Sequence, residues 1–383
     1  MKQIWTWAVT IVLSAGLTGC WDAHDISDLS PVIAIAVDLT DDGSVQTTFD
    51  VPVAESQTGT TNRQKGDSGE QTTTIVGTGR TFEATLEDAA RRTSSRLFFP
   101  HNMLIVFSEK FASKQGIGDV LNYTERTSQF RENEIIAVTD GEAKQLLTNQ
   151  TSGESLNPRY LNELTLTDKR TVSSIEVDII NQLLSPSHSA LVTWFSKTKG
   201  QPEIAGMGAF QGDKLVQLLD QTDSKNLLWL VRPLYDINLY LPVSKSKTAS
   251  FRVLSTRPSI TCRSDTTGRV HMVVHLQGYA QITRMPDGTT LNETNLEKMT
   301  DMLNSALQSN IAHAVQKLQA TQVDALGMGT LISEKDNAAW LKQVQHWPQH
   351  FANLDIRYQV NFRIIRHGMS KNNPLDYYNQ EDS

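Results

Sequence analysis

The sequence predicts a mixed α/β (α+β) fold in three domains, each a mixed or antiparallel sheet covered by helices. Three observations carry this expectation. Through the first half, runs rich in Val, Ile and Thr alternate with segments whose apolar residues recur at helical spacing. From 235 to 283 the apolar runs are β-branched, separated by turn residues and without a helical period. Leu296, Met299, Leu303, Leu307, Ile311, Val315 and Leu318 then recur every three or four positions, which is one long amphipathic helix over 295–320. A chain of 383 residues also exceeds one ordinary core.

The elements follow in order. Pro31 to Asp38 reads as a strand, Asp41-Asp42-Gly43-Ser44 as a turn, and Val45 to Val53 as the return strand of a hairpin. Glu55 to Gln71 is rich in Thr, Gly, Ser and Gln without period, a mobile surface loop. Strands are expected at Thr72 to Val76, Met103 to Phe107, Ile135 to Thr139 and Ala190 to Ser196. Helices are expected at Thr81 to Thr93, Ile117 to Thr127, from Glu142 to Leu147, and over Asp168 to Leu184. Thr81 to Thr93 places Phe82, Leu86, Ala89 and Ala90 on one face, with acids early and arginines late, as the helix dipole prefers.

Lys197 to Pro202 has the composition of a linker. Two short strands follow around Gly212-Asp213, then short apolar pieces at Leu215 to Leu219 and Asn226 to Leu230. Tyr235 to Val243, Ser250 to Thr256, Ser259 to Arg263 and Arg269 to Thr283 read as strands. Thr294 and Glu297 have the spacing of a capping box at the start of the long helix. Asp336 to Gln345 is a further helix and Asp355 to Ile365 an alternating strand. The domains expected are 20–196, 203–257 and 258–370, after a signal peptide over 1–19 and before a polar tail over 371–383.

Composition narrows the function. The net charge is -7 and no basic run goes beyond short pairs such as Arg91-Arg92, so no nucleic-acid partner is expected. Seven Trp and twelve Phe supply material for folded cores. The sequence holds no G-x-S-x-G elbow, H-E-x-x-H, C-x-x-C or Walker loop. Gly206 to Gly212 is glycine-rich but lies between strands and opens no helix. Asp38, Thr40, Asp42 and Gly43 match the early positions of a calcium loop, yet its twelfth position is Phe49. His271 and His275 sit in a strand, about 13 Å apart at ~3.3 Å per residue, too far to share one ion unaided. His346 and His350 have Pro348 between them, which argues against one continuous helix. No catalytic, metal or cofactor-binding residue is expected, and the chain is read as not an enzyme.

The two cysteines are Cys20 and Cys262. Met1-Lys2 precedes an apolar run from Ile4 to Leu17, the pattern of a secretory signal. Leu17-Thr18-Gly19-Cys20 then matches a bacterial lipobox, with cleavage between Gly19 and Cys20 and a diacylglycerol on the Cys20 thiol. Two or three acyl chains hold a protein on a membrane where one holds it marginally. The mature chain then begins at Cys20 outside the cytoplasm, with no cofactor beyond the covalent diacylglycerol and N-acyl (palmitate-type) lipid. Cys262 is left as a packed thiol.

The run T-G-C-W-D-A-H-D-I-S-D-L at 18–29 and the strand ending in Asp38 resemble the Ger(x)C family of spore germination lipoproteins. The resemblance continues through G-R-T-F-E-A from Gly79, L-F-F-P-H-N-M-L-I-V-F-S-E from Leu97, and G-I-G-D-V-L-N-Y-T-E-R from Gly116. It includes P-E-I-A-G-M-G-A-F-Q-G-D-K-L-V from Pro202, D-A-L-G-M-G from Asp324 and W-L-K-Q-V-Q-H-W from Trp340. Ala36, and Pro100-His101, depart from residues common in the family. The resemblance implies three α/β domains and no enzymatic activity. It also implies a sporulation protein, the third subunit of a nutrient germinant receptor, beside two integral-membrane subunits at the outer face of the spore inner membrane. Of site residues it carries over Cys20 alone. The alternative is a lipid-anchored solute-binding protein that captures the nutrient germinant directly.

Overall fold

The computed structural model describes residues 28–52, 72–148, 150–151, 154–155, 158–167, 171–198, 201–244, 247–265, 269–285 and 292–365. The expected signal peptide with Gly19 and Cys20, the loop Glu55 to Gln71 and the tail 371–383 lie outside the described residues.

The first half supplies strands β1 (Leu29–Pro31), β2 (Ala34–Leu39), β3 (Val45–Pro52), β4 (Thr72–Gly79), β5 (Arg96–Phe98), β6 (Leu104–Ser108) and β7 (Ile135–Thr139). Two short strands, β8 (Gln150–Thr151) and β9 (Glu154–Ser155), pair with each other, and β1 pairs with β5. The later strands are β10 (Ser189–Thr198), β11 (Gln201–Gln211) and β12 (Lys214–Asp220). One eight-stranded sheet runs in the order β12-β11-β10-β7-β6-β2-β3-β4. Its four central strands, β10, β7, β6 and β2, are parallel, and antiparallel hairpins flank them on both sides.

Central parallel strands are buried on both faces and therefore read as unbroken apolar runs. Alternation divides them. Ile35, Val37, Ile105, Phe107, Ile136 and Val138 enter one core with helices α1 (Phe82–Ala90), α2 (Glu109–Lys114), α3 (Gly118–Arg126) and, described below, α6. Ala34, Ala36, Leu104, Val106, Ile135 and Ala137 enter another with α4 (Lys144–Thr148) and α5 (Pro158–Thr167). Thr81 caps α1 by accepting from the Ala84 amide, and Ser108 caps α2 by accepting from Phe111. The helix α6 (Glu176–Leu184) is shorter than the expected 168–184. Before it the chain is extended: the Ser174 carbonyl accepts from the Ile136 amide at 2.8 Å, and its hydroxyl accepts from the Thr193 amide at 2.8 Å. Side-chain hydroxyls here compete with helix formation.

The expected linker at Lys197 to Pro202 is corrected by the pairing. Lys197 opposes Pro202 and Thr198 opposes Gln201, so β10 and β11 form a hairpin in the ladder itself. The expected middle domain, 203–257, forms no sheet of its own among the described residues. Its first part, β11 and β12, completes the eight-stranded sheet, and its last part joins a second sheet. Between them lies helix α7 (Gln221–Val231), which replaces the expected apolar piece at 226–230. Asp220 caps it by accepting from the Thr222 and Asp223 amides at 2.9 Å. Leu227, Leu228, Trp229 and Leu230 are all buried, as a helix wedged between two layers requires. The Trp229 ring meets Phe362 of the second sheet edge-on, at 6.3 Å.

That second sheet has the order β13 (Ile237–Pro242), β14 (Thr248–Ser264), β15 (Val270–Arg284) and β16 (Asp355–Ile364), antiparallel except for the parallel β15–β16 pair. β14 is continuous through Pro258, where two strands were expected. Beyond Val253, β14 has a neighbour on one side alone, and an edge strand tolerates a residue without an N–H. The long helix α8 (Glu293–Ala320) covers one face. Its start differs from the expected capping box: Asn292 is the cap, accepting from the Asn295 amide at 2.8 Å. Met299, Leu303, Leu307, Ile311, Val315 and Leu318 are buried as the stripe predicts, each worth about 1.5–3 kcal/mol relative to exposure. Helices α9 (Met328–Lys335), α10 (Asn337–Gln343) and α11 (Trp347–Ala352) lead back to β16. Pro348 does not break a helix here; it lies in the first turn of α11, where its missing N–H costs nothing.

Candidate functional site

Of the residues weighed for chemistry, Asp38, Thr40 and Asp42 shape a turn. Burial raises the Asp38 pKa, and the carboxylate accepts from the Ala143 and Lys144 amides at 2.7 and 2.9 Å. It thereby anchors the start of α4. Thr40 and Ser44 bond to Asp42 across the hairpin turn. His271 lies between Asp355 (3.0 Å) and Asp265 (3.1 Å), which raise its pKa, while His275 meets Thr261 instead. Among the described residues no group of three or more His, Cys, Asp or Glu is placed to hold a metal. Cys262 is a free, partly buried thiol whose pKa is raised by burial and by Asp336.

The structure brings together a set the sequence reading had not assembled. Asp324 is 1% exposed. Its Oδ1 accepts from the Met328 amide at 2.9 Å, and its Oδ2 accepts from the Gly329 amide at 2.6 Å, the Ser187 hydroxyl at 2.8 Å and Trp347 Nε1 at 3.0 Å. Ser187 belongs to the turn between α6 and β10, 137 residues earlier. The pair is doubled by backbone: the Thr330 amide donates to the Ser187 hydroxyl at 3.0 Å, and the Ser187 amide donates to the Thr330 hydroxyl at 3.3 Å. A buried carboxylate with four donors is a clamp on the first turn of α9, where helix dipole and unpaired amides favour negative charge. Burial outweighs them and pushes the Asp324 pKa up to about 6.

Packing explains the sequence around the clamp. A Cβ on Gly329 would stand 2.7 Å from the Trp347 ring, so the glycine lets the indole reach Asp324. Trp347 meets Trp340 edge-on at 5.2 Å. The runs D-A-L-G-M-G and W-L-K-Q-V-Q-H-W thus converge on one buried point and tie it to the first half.

A second buried pair lies at the start of α6. Glu134 is fully buried and Glu176 nearly so. Burial, with Glu176 nearby, raises the Glu134 pKa to about 8; burial raises Glu176 to about 7 although the Thr124 hydroxyl donates to it. Glu134 is consequently held in its neutral form at pH 7. The carboxylate pair was not legible in the polar run R-E-N-E, because its burial depends on α6 docking beside β7.

Residues 22–196 match the family described as spore germination protein N-terminal domain, and residues 205–368 match spore germination B3/GerAC-like, C-terminal. The chain belongs to the Ger(x)C family of spore germination proteins. Spore germination protein KC of Bacillus subtilis (strain 168) is 22% identical over 98% of both chains. Spore germination protein B3 of the same organism is 21% identical, over 96% of this chain and 99% of the relative. The crystal structure of the GerBC protein superposes with a TM-score of 0.56 at 17% identity, covering 87% of this chain and 97% of that one, which shows the shared fold. In this Ger(x)C chain the gap between the two matched regions, 197–204, falls inside the β10–β11 hairpin. The C-terminal region's first two strands therefore finish the N-terminal region's sheet.

Proposed function

We propose that the chain is a lipid-anchored, non-enzymatic subunit of a spore nutrient germinant receptor, held by Cys20 at the outer face of the spore inner membrane beside two integral-membrane subunits. The observation that carries this reading is the register between anchor motif and family match. The lipobox ends at Cys20, and the family match begins at residue 22, so cleavage before Cys20 leaves the matched chain whole. Among the described residues no helix is long and apolar enough to cross a membrane. An acyl anchor contributes about 0.8 kcal/mol per buried CH2, and two chains make attachment lasting.

Deleting the gene tests the role. Spores lacking the chain are expected to lose the response to one class of nutrient while germinating normally with a non-nutrient trigger. An unchanged nutrient response in a strain also lacking its paralogues contradicts the proposal.

A further inference from the structure

The second sheet buries one face and leaves the other open. Alternate residues of its strands, among them Met272, Val274, Leu276 and Phe362, pack with the stripe of α8 into the core. The positions between them point the other way, where Arg257, Gln277, Tyr279, Asn361 and Arg363 are all exposed. The register sets out this open face in rows. Arg257, Gln277 and Asn361 stand side by side, with Tyr279 and Arg363 in the next row. Further along, Thr261, Val273 and Arg357 share a row, and Arg263, His271 and Asp355 share the one after it.

A solvated sheet face needs no partner as such, but it ordinarily mixes charges of both signs. This one does not. Strands β14, β15 and β16 contain Arg252, Arg257, Arg263, Arg284, Arg357 and Arg363, no lysine, and a single acid, Asp355. The chain as a whole has 42 acids against 35 Lys and Arg, so the face runs against the sign of the molecule. Asp355 is held by His271 at 3.0 Å, and Arg252 pairs with Asp236. Arg257, Arg263, Arg357 and Arg363 are exposed and make no ion pair among the described residues. They stand near the corners of a patch about 20 Å long and ~10 Å wide, from six residues of strand and two strand spacings. At one end Arg257 and Arg363 line a hollow of about 580 Å³ together with Tyr235 and Tyr279. Tyr279 is 47% exposed, and Tyr240, on the neighbouring β13, is 66% exposed.

We propose that the open face of the second sheet docks an acidic protein surface, whose carboxylates pair with Arg257, Arg263, Arg357 and Arg363. A guanidinium fork matches a carboxylate in geometry and charge, and it sheds water more readily than an ammonium. Protein interfaces are enriched in Arg and Tyr and depleted in Lys, which is the composition found here. A lipid surface fits less well, since docking there uses Trp, Phe or Leu that enter the headgroup region, and the large exposed side chains of this face are tyrosines. A second copy of the chain fits least: a two-fold contact through this face would set arginine against arginine. The inference rests on the receptor reading only for which protein supplies the acids.

The test installs photoreactive p-benzoylphenylalanine in place of Tyr279 in the full-length chain, irradiates native membranes and sequences the peptide joined to it. One protein adduct is expected, at a segment rich in Asp or Glu. Arg257→Glu combined with Arg363→Glu should reduce the adduct at least about tenfold without moving the melting temperature, because both positions are exposed. The milder pair Arg257→Gln and Arg363→Gln should reduce it several-fold, and keeps the test open should the reversal misfold. The same reversal at Arg80 and Arg96, exposed in the first half, should leave the adduct unchanged. Raising salt from about 0.1 M to 1 M, which shortens the screening length from about 10 Å to 3 Å, should weaken it. An adduct with lipid, with a second copy of this chain or with a segment lacking acids overturns the proposal. So does no adduct, or one indifferent to the changes at Arg257 and Arg363. An arginine-dependent adduct on an acidic segment of a protein that is not an integral-membrane subunit would keep the docking site and contradict the receptor reading, so the two fail separately.

Discussion

Gly206→Val is expected to destabilise the protein by about 3 kcal/mol or more, read as a lower urea midpoint in an unfolding curve. Gly206 lies in β11 opposite Trp194 of β10 and Asp220 of β12. A Cβ there would stand 2.0 Å from the Leu219 carbonyl oxygen and 2.9 Å from the Ser224 hydroxyl. The first neighbour is backbone, so no side-chain rotation relieves the clash. The Ser224 hydroxyl already donates to that carbonyl at 3.0 Å, and Asp220 next to it caps α7. The substitution therefore strikes the hairpin seam and the wedge helix together. The contrasting variant is Gly43→Ala in the first hairpin turn, with φ of +82° and open space around it. Backbone strain alone should cost it about 1 kcal/mol. Equal midpoints for the two glycine variants would refute the idea that β11 and β12 are integral to the large sheet.

Asp324→Ala is expected to cost about 4 kcal/mol or more, since it strands two helix amides, an indole N–H and the Ser187 hydroxyl in a buried place. The pH dependence gives a second signature. The folded pKa of about 6 lies above the ordinary value of 3.8, so the folded chain holds this proton more tightly than the unfolded chain. The resulting stability is fully present below about pH 4 and is lost as pH rises through about 6. Over that window the contribution is on the order of 3 kcal/mol. Asp324→Asn should flatten this part of the stability–pH curve relative to the parent chain. Parallel curves for parent and variant between pH 4 and 7 would show that Asp324 is not the titrating group.

Much of the fold could be read from residue pattern, for reasons visible in particular elements. β7 and the stripe of α8 were legible because burial on both faces, or on one helical face, imposes a composition that little else produces. Lys197 to Pro202 misled because a polar Lys-Thr-Lys-Gly-Gln-Pro run suits a hairpin end as well as a linker. Asn226 to Leu230 misled because a helix buried all round loses its period. The site was harder. Asp324 and Ser187 are 137 residues apart, and nothing local in D-A-L-G-M-G says what the aspartate faces. The glycine of that run and the two tryptophans of the next were the available signal, since a small residue and large rings often mark close packing.

The account rests most directly on Cys20. Mass spectrometry of the N-terminal peptide from native membranes, with Cys20→Ala assayed beside it for membrane retention and nutrient response, tests that claim. The account predicts a peptide that begins at Cys20 and carries acyl chains, with the variant lost from the membrane and unresponsive to nutrient. An unmodified Cys20, or a variant that stays on the membrane and germinates normally, would contradict it.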